Sequence, residues 1–188
     1  MYCHNRTITD TVVFKMTPIQ SIAFVINLSN PNAQSTAEAL AEIAQAQGKK
    51  TQFITQYPLE IDCLKNSDLC CVIGGDGTLL GVLDASIHCQ TKVLGINIGK
   101  LGFLATYTPN QLIEDFSSSL EGDYSVEERS ILFCQSNTGE TAFALNYLVI
   151  IESENRGLIR LKVKSEQRLI SEDHCDGRIF ATPTGSTA

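Results

Sequence analysis

The stretch Asp68-Leu69-Cys70-Cys71-Val72-Ile73-Gly74-Gly75-Asp76-Gly77-Thr78 decides the fold. Its apolar run has strand length and no polar alternation, which is how a strand buried on both faces of a parallel sheet reads. It passes directly into a glycine-rich turn at 74–78, and Leu79 to Ala85 read as a short helix. Strand, tight turn and helix open a βαβ unit. Glycines around one aspartate let the backbone turn sharply and let a phosphate come close. A helix starting after Gly77 would present free N–H groups to an anion. A lone carboxylate there would repel bare phosphate, so Asp76 suits accepting a proton from an attacking hydroxyl, or binding through a metal. A plain strand–helix turn with Asp76 as its N-cap accounts for the same spacing.

The pattern extends to both sides. Upstream, Ser21–Leu28 is an apolar run of strand length. Ser35 and Glu38 form an S-x-x-E capping-box signature, followed by an apolar stripe on Ala37, Leu40, Ala41 and Ala44 and a helix stop at Gly48. Thr51–Ile54 reads as a second short strand. Downstream, Lys92–Ile96 is a strand ending in a second glycine-rich stretch at Gly95–Gly102. Thr108-Pro109 reads as N-cap and first helical residue, with Leu112, Ile113, Phe116 and Leu120 on the face of the helix and Gly122 at its end. Beyond Gly122 the texture changes. Ser130–Cys134, Ala142–Ile151, Leu158–Val163 and Arg178–Ala181 are strand-like, with turn signals at Asn137-Thr138-Gly139 and Glu154-Asn155-Arg156-Gly157. The expectation is an α/β amino-terminal domain with a parallel sheet, plus a partial all-β second domain. Residues 1–20 would be a tail, 21–122 the α/β domain and 123–188 an incomplete β-rich domain.

The chain has 188 residues, 43% of them hydrophobic and 19% charged, the composition of a folded globular protein. A net charge of −7 argues against a broad basic face for nucleic acid. It leaves a nucleotide ligand open, since backbone N–H groups hold small phosphates without formal charge. The 7 cysteines include no C-x-x-C pair, which fits reduced thiols in the cytoplasm better than a disulfide framework or a zinc site. Cys70 and Cys71, in the apolar run, read as small core residues. No run approaches the ~20 apolar residues of a membrane span, and the amino terminus lacks the apolar core of a signal peptide. Met16, just before the first strong strand, is a candidate start.

Four stretches carry a family likeness. GGDGT at Gly74–Thr78 resembles the signature shared by NAD kinases, diacylglycerol and sphingoid kinases, and phosphofructokinases. Gly95-Ile96-Asn97-Ile98-Gly99-Lys100-Leu101-Gly102-Phe103-Leu104 is similar to the G-x-N-x-G-x-L-G-F-L segment of NAD kinases, which the lipid kinases do not carry in this form. Ala144-Leu145-Asn146-Tyr147 resembles their A-L-N-E or A-L-N-D, with Tyr147 replacing the acid. Asp176-Gly177 followed by Thr182-Pro183-Thr184-Gly185-Ser186-Thr187-Ala188 is similar to D-G-x-x-x-x-T-P-T-G-S-T-A-Y. The four occur in the family's order over residues 21–188.

The resemblance implies an NAD kinase that phosphorylates the 2′-hydroxyl of NAD's adenosine ribose. ATP, or polyphosphate, would be the donor, with Mg²⁺ or another divalent metal. It implies Asp76 as the catalytic base, so that Asp76→Asn lowers kcat and spares NAD affinity. Gly75, Gly77, Thr78, Phe103, Asn146, Tyr147, His174, Asp176, Thr184, Thr187 and Ala188 would line the nucleotide sites, with no protein residue assigned as a metal ligand. It also implies a homodimer or homotetramer joined through the β domain, and a chain truncated at its carboxy terminus. A lipid-type kinase using the same GGDGT and a non-catalytic NAD-binding fragment are the rival readings. A hydride-transferring dehydrogenase is disfavoured, because no G-x-G-x-x-G follows the first strand.

Overall fold

The computed structural model describes residues 16–99, 102–152 and 157–187. The chain divides into two compact units, the first ending at Val126 and the second beginning at Glu127.

The first unit is built on a four-stranded parallel sheet of β1 (Ser21–Ile26), β2 (Lys50–Ile54), β3 (Leu69–Gly74) and β4 (Lys92–Asn97), in the order β2-β1-β3-β4. The central strands β1 and β3 are apolar from Ile22 to Ile26 and from Leu69 to Ile73 because both faces are covered there. Ile22, Phe24, Ile26, Cys71 and Ile73 point to one layer, with helices α1 (Ala33–Ala46) and α4 (Pro109–Leu120). Ala23, Val25, Cys70 and Val72 point to the other, with Leu64 and with Val82 and Ala85 of the α2–α3 segment (α2, Asp76–Gly81; α3, Leu83–Cys89). This alternation follows from the two-residue period of a strand. Burial pushes the Cys70 thiol up to about 12 and the Cys71 thiol well above its ordinary value, so both stay protonated core residues.

Several local readings are corrected. Helix α1 begins at Ala33 behind Asn32, so Ser35 lies inside its first turn and bonds the Asn32 carbonyl (3.1 Å) instead of forming a capping box with Glu38. Gly48 does follow its end, at φ +72. The short helix after the glycine turn is two helices that meet at Val82. The first begins at Asp76 with Gly75 as N-cap, two residues earlier than the glycine spacing suggested. At α4 the side chain of Gln111 accepts hydrogen bonds from the Thr108 backbone N–H (3.2 Å) and hydroxyl (2.8 Å).

The second unit consists of three antiparallel pairs. These are β5 (Leu132–Gln135) with β6 (Thr141–Ala144), β7 (Tyr147–Ile151) with β10 (Gly177–Ala181), and β8 (Ile159–Ser165) with β9 (Arg168–Cys175). A single-turn 3₁₀ helix, Gly185–Thr187, follows. The run Ala142–Ile151 is not one strand. It breaks at Leu145–Asn146, where the chain leaves β5 and joins β10. Strand β9 is absent from the sequence reading, and the turn signal at 154–156 lies outside the described residues.

Candidate active site

The strand order places a topological switch between β1 and β3, because the chain leaves β1 toward β2 on one side and β3 toward β4 on the other. In open α/β sheets ligands enter at such a point, beyond the carboxyl ends of the strands. A crevice of about 220 Å³ lies there, lined by Asn27, Ser29, Asn30, Pro31, Gly74, Gly75, Ile98 and Gly99. Asparagine side chains tie its walls together. The Asn27 amide donates to Thr78 Oγ1 (3.3 Å), and the Asn30 amide donates to the Ile98 carbonyl (2.9 Å). Their oxygens accept the backbone N–H groups of Ser29 and Asn32. Sequence reading missed both residues. The only available signal was the Asn/Ser/Pro cluster after β1, which reads simply as a loop.

The glycines of the turn divide by their surroundings. A Cβ on Gly74 would lie 2.4 Å from Thr78 Oγ1, so glycine is required there by packing. Among the described residues nothing lies within 4 Å of a Cβ added to Gly75 or Gly77. Thr78 is buried beneath the turn.

Asp76, in the first turn of α2, projects to the loop after β4. Its Oδ2 accepts the N–H of Phe103 (2.8 Å), and its Oδ1 accepts those of Leu104 and Ala105 (3.1 Å each). Partial burial pushes the carboxyl pKa up, but the amides of Ala105, Phe103 and Leu104 outweigh it and hold the group below its ordinary value. Phe103 itself is 75% exposed. Lys100 and Leu101 of the same motif lie outside the described residues.

In the second unit the A-L-N and T-P-T-G-S motifs come together. Thr182 is the hub. Its N–H donates to the Asn146 carbonyl (2.8 Å), its hydroxyl lies against the Leu145 and Asn146 carbonyls, and it receives the Gly185 N–H (3.1 Å). Gly185 packs so closely that a Cβ would lie 2.0 Å from the Asn146 oxygen. Asn146 Oδ1 is buried with no hydrogen-bond partner among the described residues. The Thr184 hydroxyl accepts from Arg129 (3.4 Å), and Thr187 falls in the 3₁₀ helix. Tyr147 opens β7, His174 lies in β9 and Asp176 follows it, all three exposed. Ala188 lies outside the described residues.

A parallel sheet covered on both faces, with a ligand crevice and a glycine turn at its switch point, defines a doubly wound α/β protein, here followed by antiparallel β pairs. The family model described as "ATP-NAD kinase N-terminal domain" matches residues 9–124, and that described as "ATP-NAD kinase C-terminal domain" matches residues 145–188. The chain belongs to the NAD kinase family. It is 38% identical over 135 residues to an NAD kinase of Hydrogenovibrio crunogenus, covering 69% of this chain and 46% of that protein. It is 32% identical over 186 residues to an NAD kinase of Erwinia tasmaniensis, covering 91% of this chain and 64% of that protein. The chain thus spans about half to two-thirds of these relatives' length. Its fold matches a crystal structure of yeast NADH kinase complexed with NADH, with TM-score 0.69 and 24% identity, over 92% of this chain and 60% of that one.

Proposed function

We propose that this chain supplies the catalytic carboxylate and nucleotide-binding elements of an NAD kinase, which moves the γ-phosphoryl group of ATP, or a terminal phosphoryl of polyphosphate, onto the 2′-hydroxyl of NAD's adenosine ribose. The observation that carries this reading is an ionised Asp76 beside an open glycine turn at the switch point of the sheet. Oδ1 accepts two amides and Oδ2 only one, which leaves Oδ2 a lone pair for the ribose hydroxyl. In the step, the 2′-oxygen bonds to the γ-phosphorus, the β–γ bridging bond breaks with its electrons leaving on ADP, and the hydroxyl proton passes to Oδ2. A loose transition state needs little prior activation of the hydroxyl, so a carboxylate of low pKa suffices.

Gly75 and Gly77 allow phosphate to approach the backbone, and Thr78 fixes the turn beneath them. Phe103 offers an exposed ring to a flat heterocycle. Asn146 Oδ1, a buried acceptor without a donor among the described residues, suits the amino group of adenine or a carboxamide. Thr184, Thr187 and Ala188, with Tyr147, His174 and Asp176, complete the proposed NAD contacts. Among the described residues no group of three or more His, Cys, Asp or Glu side chains could hold a metal ion. The divalent cation of this chemistry, Mg²⁺ by preference, would therefore arrive on the donor's phosphates. The setting is cytoplasmic, and the assembly a homo-oligomer joined through the second unit.

The test is NADP formation by the purified protein from NAD, with ATP and Mg²⁺ or with polyphosphate, alongside phosphorylation of diacylglycerol. NADP without lipid product is the expected result. Phosphorylated lipid, or failure of either donor to yield NADP, rejects the reading.

A further inference from the structure

We propose that Asp76 is also the positioning residue for the Gly102–Ala105 wall of the site, so that removing its carboxylate weakens NAD binding as well as turnover. The inference rests on the reading above that NAD lies against Phe103. Phe103, Leu104 and Ala105 belong to no helix or strand, and their consecutive N–H groups converge on one carboxylate. Successive amides turned to one side form a concavity that attracts anions. Here the protein fills that concavity with its own side chain.

The loop is closely packed on both sides. A Cβ on Gly102 would lie 2.2 Å from Oδ1 and 2.8 Å from Oδ2, so the backbone is in contact with the carboxylate. On its far side the loop is seated against β4, where a Cβ on Gly95 would come within 2.9 Å of Ala105 Cα and 2.8 Å of Leu79 Cδ1. Ala105 is buried, so without Asp76 its N–H would lose its partner with little access to water. Amide substitution cannot restore the arrangement. Asparagine has one oxygen, and its NH₂ group would oppose an N–H donor. The loop held in this way carries Phe103 at its tip, and a shifted wall presents that ring differently.

A residue acting only as a base predicts lower kcat with unchanged NAD affinity. A residue that also holds the wall predicts both effects. The experiment compares wild type, Asp76→Asn and Gly102→Ala by calorimetric titration with NAD, by the split between kcat and KM for NAD, and by hydrogen exchange at residues 103–105. Expected are exchange at least about ten-fold faster at those amides and NAD binding about ten-fold weaker in both variants. Gly102→Ala keeps the carboxylate and displaces it, so a matching loss there separates position from proton transfer. Wild-type exchange rates in Asp76→Asn overturn the proposal, as does a fall in kcat with unchanged NAD affinity. If the wild-type protein binds no NAD, the kinase reading fails, and the clamp stands or falls on the exchange rates alone.

Discussion

Gly74 and Gly77 lie two residues before and one residue after the same aspartate, yet glycine serves a different purpose at each. At Gly74 a methyl group would collide with Thr78, whereas at Gly77 it would meet nothing within 4 Å among the described residues. Gly77 lies within α2, where alanine is the better residue by up to about 1 kcal/mol. Gly77→Ala should therefore raise the melting temperature slightly while lowering kinase turnover. A variant that melts higher and keeps full activity would show that nothing approaches this face. Asp68 uses the same carboxylate chemistry at the opposite end of the sheet. Its Oδ2 accepts the Gln20 and Ser21 N–H groups and the Ser21 hydroxyl, each at 2.9 Å. Partial burial pushes its pKa up, but those hydrogen bonds and nearby Lys92 bring it below the ordinary value. A depressed folded pKa contributes stability that is full above the unfolded value of about 4 and lost as pH falls through the folded one. Asp68→Asn should cost on the order of 1 kcal/mol in urea unfolding at neutral pH, the site being exposed and screened, and the deficit should shrink toward pH 3. The sequence marked Asp76 because glycines surround it. It could not show the amides that hold Asp76, which lie 27–29 residues further along the chain.

Among the elements, the buried strands and amphipathic helices were legible because burial imposes a period on composition. Leu40, Phe116 and Leu120 are fully buried where the helical spacing put them. Phe116→Ala should cost about 3–5 kcal/mol in chemical denaturation, and a loss below 1 kcal/mol would show that the α1–α4 layer is not packed as described. Strand β9 was illegible for a chemical reason. Its residues Arg168-Leu169-Ile170-Ser171-Glu172-Asp173-His174-Cys175 are mostly polar and exposed, and no glycine or asparagine marks the hairpin turn. Glu166 and Gln167 make that turn, at φ +46 and +69. Positive φ at both central residues is the type I′ pattern, which favours Asn-Gly. Replacing Glu166-Gln167 by Asn-Gly should relieve the strain and stabilise the hairpin by about 1 kcal/mol, read as a higher melting temperature. The Ala142–Ile151 run misled in the opposite direction. Its composition is continuous, but Thr182 draws the Asn146 carbonyl out of line and the strand changes partners there.

At the scale of the molecule, the two units differ in how they use apolar surface. The first covers both faces of its sheet. In the second, Tyr147, Val149 and Ile151 alternate along β7, and Ile179 lies opposite Val149 on β10. All four side chains are exposed, and together they make an apolar face on a two-stranded sheet. Such a face favours association, in keeping with the proposed homo-oligomer. Sedimentation velocity should show concentration-dependent association that the double variant Val149→Lys, Ile179→Lys reduces. Equal sedimentation of both proteins would remove this surface from the assembly. Composition alone indicated two textures and their order along the chain. It could not reveal the crevice, whose walls meet only when β1, β3 and β4 stand side by side.

The carboxylate seated among the Phe103, Leu104 and Ala105 amides has a consequence for inhibition. A group fixed to the same chain competes at an effective molarity that dissolved anions do not reach at ordinary concentrations. Sulfate, pyrophosphate or an acidic drug fragment should therefore gain nothing from that hollow in the native protein. Cutting the tether reverses the contest. In Asp76→Ala, added formate should enter the emptied hollow and recover part of the lost NAD affinity, whereas a neutral mimic such as formamide should not.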